Sequence, residues 1–157
     1  MIPSTVEIRR LADGDFEAFK QMKTGIENDY VTRIFQRSVN TEPTYGAFVN
    51  DQLVSLAAYT LFAGRYAVLG RLRTDLRFRG RGIATQLLTE LCSELDERHP
   101  GVAWIGLATE LRNHPVQHIA NHLGMERLST YYSCVLEHDG LRNLDRVVKG
   151  VPDEWET

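Results

Sequence analysis

Apolar and polar residues alternate along this chain with two periods, one typical of helices and one of strands. The clearest helical period lies in the middle of the chain, where Ile83, Leu87, Leu91 and Leu95 recur every fourth position. Such a stripe is typical of a helix that packs on a sheet. Mostly apolar segments between turn residues predict strands over residues 6–10, 45–49, 53–62, 66–74, 102–108 and 125–136.

Further helices are predicted between these strands. Asp13 can cap a first helix, and a second covers roughly residues 27–39. Another starts at Asn113 and ends at Gly124. The turn at residues 50–52 joins two strands and predicts a hairpin. Helices and strands therefore alternate, which predicts an α/β protein.

Length and composition are those of a globular domain. The 157 residues include 43% hydrophobic and 25% charged ones, and the net charge is −3. This balance argues against nucleic-acid binding. The first residues lack a signal-peptide pattern, and no apolar run reaches the ~20 residues that span a bilayer. We therefore expect a cytoplasmic protein with no nucleic-acid or membrane partner.

The chain shows no internal repeat or linker, so one main domain is expected over residues 3–137, followed by a polar tail over 138–157. Cys92 and Cys134 form neither a disulfide pattern nor a metal-binding pattern. Both are expected to be reduced thiols, and no metal site is predicted.

The segment from Arg77 to Ala84 reads Arg-Phe-Arg-Gly-Arg-Gly-Ile-Ala, and its two glycines directly precede the long helix. A glycine-rich turn at a helix start leaves several backbone N–H groups unpaired and pointed at one place. The helix dipole also favours negative charge there. The turn therefore predicts a phosphate-binding site.

Three kinds of phosphate site use a glycine-rich turn. A nucleotide P-loop requires a Gly-Lys pair, and the chain has none. A dinucleotide fingerprint requires a third small residue where this chain has Thr85, and it belongs near the start of a parallel sheet. The third kind is an acyl-CoA pyrophosphate site, and for this one the chain shows a family resemblance.

Arg77-x-x-Gly80-x-Gly82 matches the Gln/Arg-x-x-Gly-x-Gly/Ala signature of the GNAT N-acetyltransferase superfamily. A second motif also matches, since Asn113 opens a helix that ends eleven residues later in a glycine. The chain resembles this superfamily over roughly residues 6–136. The resemblance implies a mixed, mostly antiparallel sheet flanked by helices, and acetyl-CoA as co-substrate.

In this superfamily the strand before the glycine loop binds the pantetheine arm through its backbone, and the loop binds the pyrophosphate. That strand carries a bulge that opens a cleft, and Gly70 marks the bulge here or fills a packing gap. Arg79 and Arg81 are best placed to attract the polyanionic cofactor, while Arg71 and Arg77 are expected to pair with acids. The implied cofactor-binding residues are Leu72, Arg73, Thr74, Arg79, Gly80, Arg81, Gly82, Ile83, Ala84, Thr85 and Asn113.

The implied chemistry is attack of an amine on the thioester carbon, with a backbone N–H of residues 72–74 against the developing oxyanion. Many members place a catalytic tyrosine seven residues after the asparagine, where this chain has Ala120. A water relay without a dedicated side chain is one solution. The weak side-chain candidates, each also explained as a surface or core residue, are Tyr131, Tyr132, His122 with its neighbour His118, and Glu110.

The resemblance implies an acceptor site between the first two helices, the hairpin and the last strands. Glu27 and Tyr30 fall there and could hold an ammonium group, although acids also suit the start of a helix. The predicted acceptor is a primary amine of a small molecule, such as an amino acid or polyamine, or of a protein.

The missing tyrosine supports a second hypothesis, an acyl-CoA sensor without catalysis. A homodimer could complete the sheet, since little sequence follows the last predicted strand.

Overall fold

The computed structural model describes residues 5–130, and the chain up to Glu126 forms one compact unit. Short 3₁₀ turns precede α1 and follow β4. The elements are, in order, β1 (Val6–Arg10), α1 (Phe16–Lys20), α2 (Tyr30–Thr41), β2 (Thr44–Val49), β3 (Gln52–Phe62), β4 (Tyr66–Thr74), α3 (Ile83–Arg98), β5 (Trp104–Leu107) and α4 (His114–His122).

The strands form one sheet in the order β1–β2–β3–β4–β5. Neighbours are antiparallel from β1 to β4, and β5 runs parallel to β4 because α3 provides the crossover between them. Asn50 and Asp51 have φ of 49° and 60°, as a two-residue type I′ hairpin requires. The predicted hairpin and the mixed, mostly antiparallel sheet flanked by helices are confirmed.

Helices cover both faces of the sheet, and each face has its own apolar core. One core joins α1 and α2 to the sheet and contains Leu11, Phe19, Met22, Val31, Phe35, Val39, Phe48, Leu53 and Leu56. The other joins α3 to the sheet and contains Ala57, Tyr59, Ala67, Leu69, Leu87, Leu88, Leu91 and Leu95. The predicted stripe of α3 is therefore confirmed. None of the described helices is long and apolar enough to cross a bilayer.

The starts of the first two helices differ from the prediction. Asp15, rather than Asp13, holds the turn before α1, because its carboxylate accepts the Ala12 N–H at 2.9 Å. The second helix begins at Tyr30 instead of residue 27, because the Asp29 carboxylate accepts the N–H of the next turn as an N-cap. Both corrections move a boundary by a few residues and leave the element order unchanged.

Two predicted strands are shorter than expected. The buried strand predicted over 102–108 is only β5, in which Gly106 alone is buried and Trp104 is 42% exposed. The Trp104 ring folds over Gly106, since a Cβ there would lie 2.2 Å from it. Residues 125–130 contain no strand. Met125 instead closes α4 by donating its N–H to the Ala120 carbonyl at 2.9 Å. The rest of the strand predicted over 125–136 and the predicted tail lie outside the described residues.

Candidate active site

β4 contains a bulge near its end. Leu56 of β3 pairs with Arg73 and Ala58 pairs with Gly70, so three steps along β4 match two along β3. Arg71 has a φ of 56°, a left-handed conformation that costs a non-glycine residue about 1–2 kcal/mol. A Cβ at Gly70 would meet no atom within 4 Å, so Gly70 fills no tight gap. The expected bulge is present, and Arg71 is the residue that bends.

The sheet is split beyond this point. β5 pairs with β4 only as far as Leu69, which lies opposite Leu107. On that edge, residues 70–74 of β4 have no neighbouring strand within the part of the chain that the structure describes. The split therefore opens directly before the glycine loop, at the place where the resemblance puts the cofactor.

Backbone groups at this open edge are directed into the split. On the opposite edge, the Asp75 N–H donates to the Val54 carbonyl at 2.9 Å, and the Arg73 carbonyl accepts the Ser55 hydroxyl at 2.8 Å. Successive residues of a strand direct their backbone groups to opposite edges. The Thr74 N–H consequently faces the split, where it can donate to a ligand.

A buried carboxylate ties the end of β4 to two loops. Asp75 is 0% exposed, and its oxygens accept the backbone N–H groups of Lys23 at 3.0 Å and Arg77 at 2.9 Å. The Arg77 guanidinium donates two more hydrogen bonds at 2.9 and 2.6 Å. These guanidinium bonds outweigh burial and hold the pKa of Asp75 far below its usual range. Sequence reasoning missed Asp75, although an acid between an apolar strand and an arginine was a signal for it.

Lowered carboxylate pKa values predict that the protein loses stability in acid. The pKa is lowered for Asp75, Asp29 and Asp15, in each case mainly by a hydrogen bond from an arginine. Such a group stabilises the fold above its unfolded pKa of 3.8 and loses that effect as pH falls through the folded pKa. We expect Tm to be flat from about pH 7 to pH 5 and to fall below about pH 4. Thermal melts from about pH 7 to about pH 2 measure this dependence of Tm on pH. A Tm that stays constant down to about pH 2 would contradict the prediction.

The glycine loop leaves the start of α3 open. Gly80 and Gly82 are left-handed, with φ of 72° and 76°, and a Cβ at either would meet no protein atom within 4 Å. Gly82 is the N-cap of α3 and offers no side chain, whereas Asp29 caps α2 and Asn113 caps α4. Among the described residues, no side chain accepts the first N–H groups of α3. This arrangement fits a phosphate group.

The arginines near the loop divide as the sequence predicts. Arg71 and Arg77 each pair with an acid. Among the described residues, neither Arg79 nor Arg81 has an acidic partner within ion-pair distance. Arg79 donates to the Thr24 carbonyl at 2.9 Å, and the Arg81 guanidinium lies 5.0 Å from an aromatic ring centroid. Their charges therefore remain available to an anionic ligand.

A groove of about 440 Å³ lies between the first turns of α3 and the second half of α4. Its lining residues are Gly82, Thr85, Gln86, Thr89, Glu90, His118 and His122. Thr85, predicted to reach the pyrophosphate, thus shares this groove with both histidines. His118 and His122 therefore lie on the α4 side of a groove that has the N-cap of α3 on its other side.

The other candidates for proton transfer lie elsewhere. Glu110 is exposed and lies three residues after the end of β5. Asn113 uses its side-chain oxygen to accept the Val116 N–H at 3.3 Å and thereby caps α4. Tyr131 and Tyr132 lie outside the described residues.

The predicted acceptor residues lie at the start of α2. Tyr30 is 46% exposed, and its ring centroid lies 5.4 Å from the Arg73 guanidinium carbon; Glu27 is also exposed. Asp29, between them, binds Arg73 at 2.7 and 2.8 Å. A second groove, of about 530 Å³, contains no residue of β4 or the glycine loop. It is lined by Phe19, Lys20, Met22, Thr24, Ile26, Asn28, Asp29, Thr32 and Arg33.

Comparison with known proteins identifies the class that this fold and site define. The family model described as "Acetyltransferase (GNAT) family" matches residues 6–125. The chain therefore belongs to the GNAT acetyltransferase family. It is an acyltransferase. No curated protein matches the chain significantly.

Solved structures share this fold at low sequence identity. The ribosomal-protein-S18-alanine N-acetyltransferase from Escherichia coli has a TM-score of 0.71 at 19% identity, covering 87% of each chain. AAC(6')-Iy, in complex with the bisubstrate analogue CoA-S-monomethyl-acetylneamine, has a TM-score of 0.63 at 19% identity, covering 84% of this chain and 100% of that one. A transcriptional regulator from Bacillus halodurans C-125 has a TM-score of 0.62 at 19% identity, covering 83% and 99%. The three share the fold with this chain.

Proposed function

We propose that this chain transfers the acetyl group of acetyl-CoA to a primary amine, either of a small molecule such as an amino acid or polyamine or of a protein. The observation that carries the proposal is the split between β4 and β5, which leads directly to the uncapped start of α3. A ligand with a long amide-containing arm and a phosphate end matches both parts.

The chain's residues divide the binding of acetyl-CoA between two regions. The open edge at residues 72–74 pairs with the amide groups of the pantetheine arm, as one strand pairs with another. The N–H groups of residues 79–85 hold the pyrophosphate, and Arg79 and Arg81 add positive charge. The Thr85 hydroxyl lies in the groove beside them.

Acetyl-CoA supplies a thioester whose carbonyl carbon an amine can attack. The Thr74 N–H faces the split and stabilises negative charge that develops on the carbonyl oxygen, and such a preorganised donor is worth about 100-fold in rate or more. Holding both reactants in one cleft contributes further. The amine loses its proton to water, with Glu110 as the proposed side-chain acceptor. The C–S bond then breaks, and CoA leaves as a thiolate that takes up a proton from water.

Two substitutions separate binding from proton transfer. Glu110→Gln removes the proposed base and is expected to lower kcat by about tenfold or more at neutral pH, with KM for acetyl-CoA little changed. His122→Gln changes a side chain of the groove that also contains Gly82 and Thr85, and it is expected to raise KM for acetyl-CoA with kcat unchanged. Steady-state kinetics of both variants check this. A fall in kcat for His122→Gln alone would assign proton transfer to the histidine instead.

Release of free CoA in the presence of an amine panel tests the proposed function. The panel contains amino acids, polyamines and peptides with a free N-terminus or a lysine, and the wild-type protein is expected to release CoA with at least one of them. The rival hypothesis, an acyl-CoA sensor, is supported by Ala120, which replaces the family's frequent tyrosine. A sensor would show a raised Tm with acetyl-CoA but no CoA release with any amine.

Two similar structures add support for an amine acceptor. One is described as an alanine N-acetyltransferase for a ribosomal protein, and another is bound to a CoA analogue of acetylneamine. The first represents protein amines and the second small-molecule amines, so both arms of the panel have a structural precedent.

A cytoplasmic location and a homodimer stay predictions. The mass of the protein in solution tests whether it is a homodimer.

A further inference from the structure

Helix α2 is tied at both ends to the bulge of β4. Asp29, the N-cap of α2, accepts hydrogen bonds from Nε and Nη2 of Arg73 at 2.7 and 2.8 Å. Glu42, the residue directly after α2, pairs with the guanidinium of Arg71. The two arginines flank Leu72, so one acid at each end of the helix holds one side of the bulge.

Both ion pairs are shielded from solvent. The side chains of Asp29 and Arg73 are 7% and 13% exposed, and those of Glu42 and Arg71 are 20% and 17% exposed. Exposed ion pairs contribute little, but removal of one partner from a shielded pair leaves the other charge uncompensated. The Tyr30 ring covers the guanidinium of the first pair. These contacts therefore restrict where both arginines can lie.

The ion pairs also act on the backbone that faces the split. The left-handed Arg71 persists only where its surroundings impose that conformation. Arg73 Nη1 donates to the Leu72 carbonyl at 3.0 Å, so the guanidinium that binds Asp29 also orients the peptide between residues 72 and 73. The next backbone donor along the strand is the Thr74 N–H. A misplacement of about 1 Å at reacting groups can cost roughly 100-fold in rate.

We propose that Asp29 and Glu42 are positioning residues for acetyl transfer: through Arg73 and Arg71 they hold the β4 bulge so that its backbone points into the split. This inference rests on the proposed function, because it assigns a share of the acetyl-transfer rate to the two acids. It also removes both carboxylates from the set that could bind an acceptor ammonium group.

Asp29→Asn tests the inference cleanly. Asn is as good an N-cap as Asp, so α2 keeps its cap while the ion pair is lost. We expect kcat to fall by about tenfold or more, because the bulge relaxes. KM for acetyl-CoA should change less than kcat, since the variant affects only the pantetheine contacts at residues 72–74 and leaves the proposed phosphate contacts at the glycine loop in place. Glu42→Gln is expected to give the same pattern, because it removes the ion pair with Arg71. Its side-chain oxygen can still accept the Thr60 hydroxyl, so that contact is kept.

Asp15→Asn is the matched control. Asp15 also accepts a backbone N–H at a helix start, from Ala12 at 2.9 Å, and also pairs bidentately with an arginine, Arg9, at 2.8 and 3.0 Å. Loss of the ion pair between Asp15 and Arg9 is expected to lower Tm and to leave kcat unchanged. Equal losses of kcat in the Asp15 and Asp29 variants, or an unchanged kcat in Asp29→Asn, would overturn the positioning role.

Amide hydrogen exchange gives a readout that does not depend on activity. The backbone N–H groups of Arg73 and Asp75 face β3, and their exchange is expected to be at least about tenfold faster in Asp29→Asn and unchanged in Asp15→Asn. If the wild-type protein releases no CoA with any amine, the proposed function fails. The exchange rates then test by themselves whether Asp29 holds the β4 bulge. Equal rates in Asp29→Asn and wild type would mean that it does not.

Discussion

Gly82→Trp is expected to lower the affinity for acetyl-CoA by about 100-fold or more while the protein remains folded. Gly82 stands at the start of α3, and its Cβ position faces open space, so an indole there meets no protein atom at its base. It would instead occupy the place proposed for the pyrophosphate. Hydrogen bonds to a charged group contribute about 1.5–3 kcal/mol each, and loss of two corresponds to at least a 100-fold change.

Gly64→Trp is the control for this prediction. Gly64 lies in the hairpin between β3 and β4, has a φ of 65° and also faces open space, so the same substitution imposes a similar backbone strain. Calorimetric titration of acetyl-CoA should show normal affinity for this variant. Normal affinity in Gly82→Trp as well would mean that the phosphates bind somewhere other than the glycine turn.

Asp75→Ala is expected to destabilise the protein by about 3 kcal/mol, because the N–H groups of Lys23 and Arg77 lose their acceptor in a buried place. For a chain of this size the loss corresponds to a fall in Tm of roughly 10 °C. The segment between β4 and the glycine loop should also become more mobile. Thermal melts measure the first effect, and proteolysis within residues 75–82 measures the second.

Asp96→Ala serves as the comparison for Asp75→Ala. Asp96 is an exposed carboxylate on α3, and its loss should change Tm by no more than about 1–2 °C. The Asp75 variant should also lose less stability than wild type when pH falls below 4, since it lacks the group whose protonation contributes to acid unfolding. Equal Tm values for both variants would show that the Asp75 contacts contribute little.

The element order of the fold could be predicted because its signals are local. The four-residue apolar period of α3 and the two turn residues at 50 and 51 act over a few neighbouring positions. The glycine turn is equally local, so the loop that we propose binds phosphate could be identified from the sequence. β5 was predicted too long because the period of an apolar run does not show whether its strand lies inside the sheet or at an edge.

The contacts that organise the site could not be predicted, because they join residues that are distant in sequence. Asp29 and Arg73 are 44 positions apart, and Lys23 and Asp75 are 52 apart. No local pattern relates such residues, and each acid taken alone resembles an ordinary helix cap or turn residue. The sequence singled out no one catalytic residue for a different reason: Ala120 stands where many members of the family have a tyrosine.

The proposed cofactor edge separates recognition of the acetyl donor from side-chain identity. The Leu72 side chain packs into the core under α3, and the Thr74 hydroxyl bonds to the Ser55 hydroxyl at 2.9 Å, so both side chains are used inside the protein. The peptide N–H groups of Leu72 and Thr74 lie on the edge of β4 that has no neighbouring strand among the described residues. On this proposal, substitution of an exposed predicted acceptor residue such as Glu27 should change acceptor preference without altering the backbone groups that hold the donor.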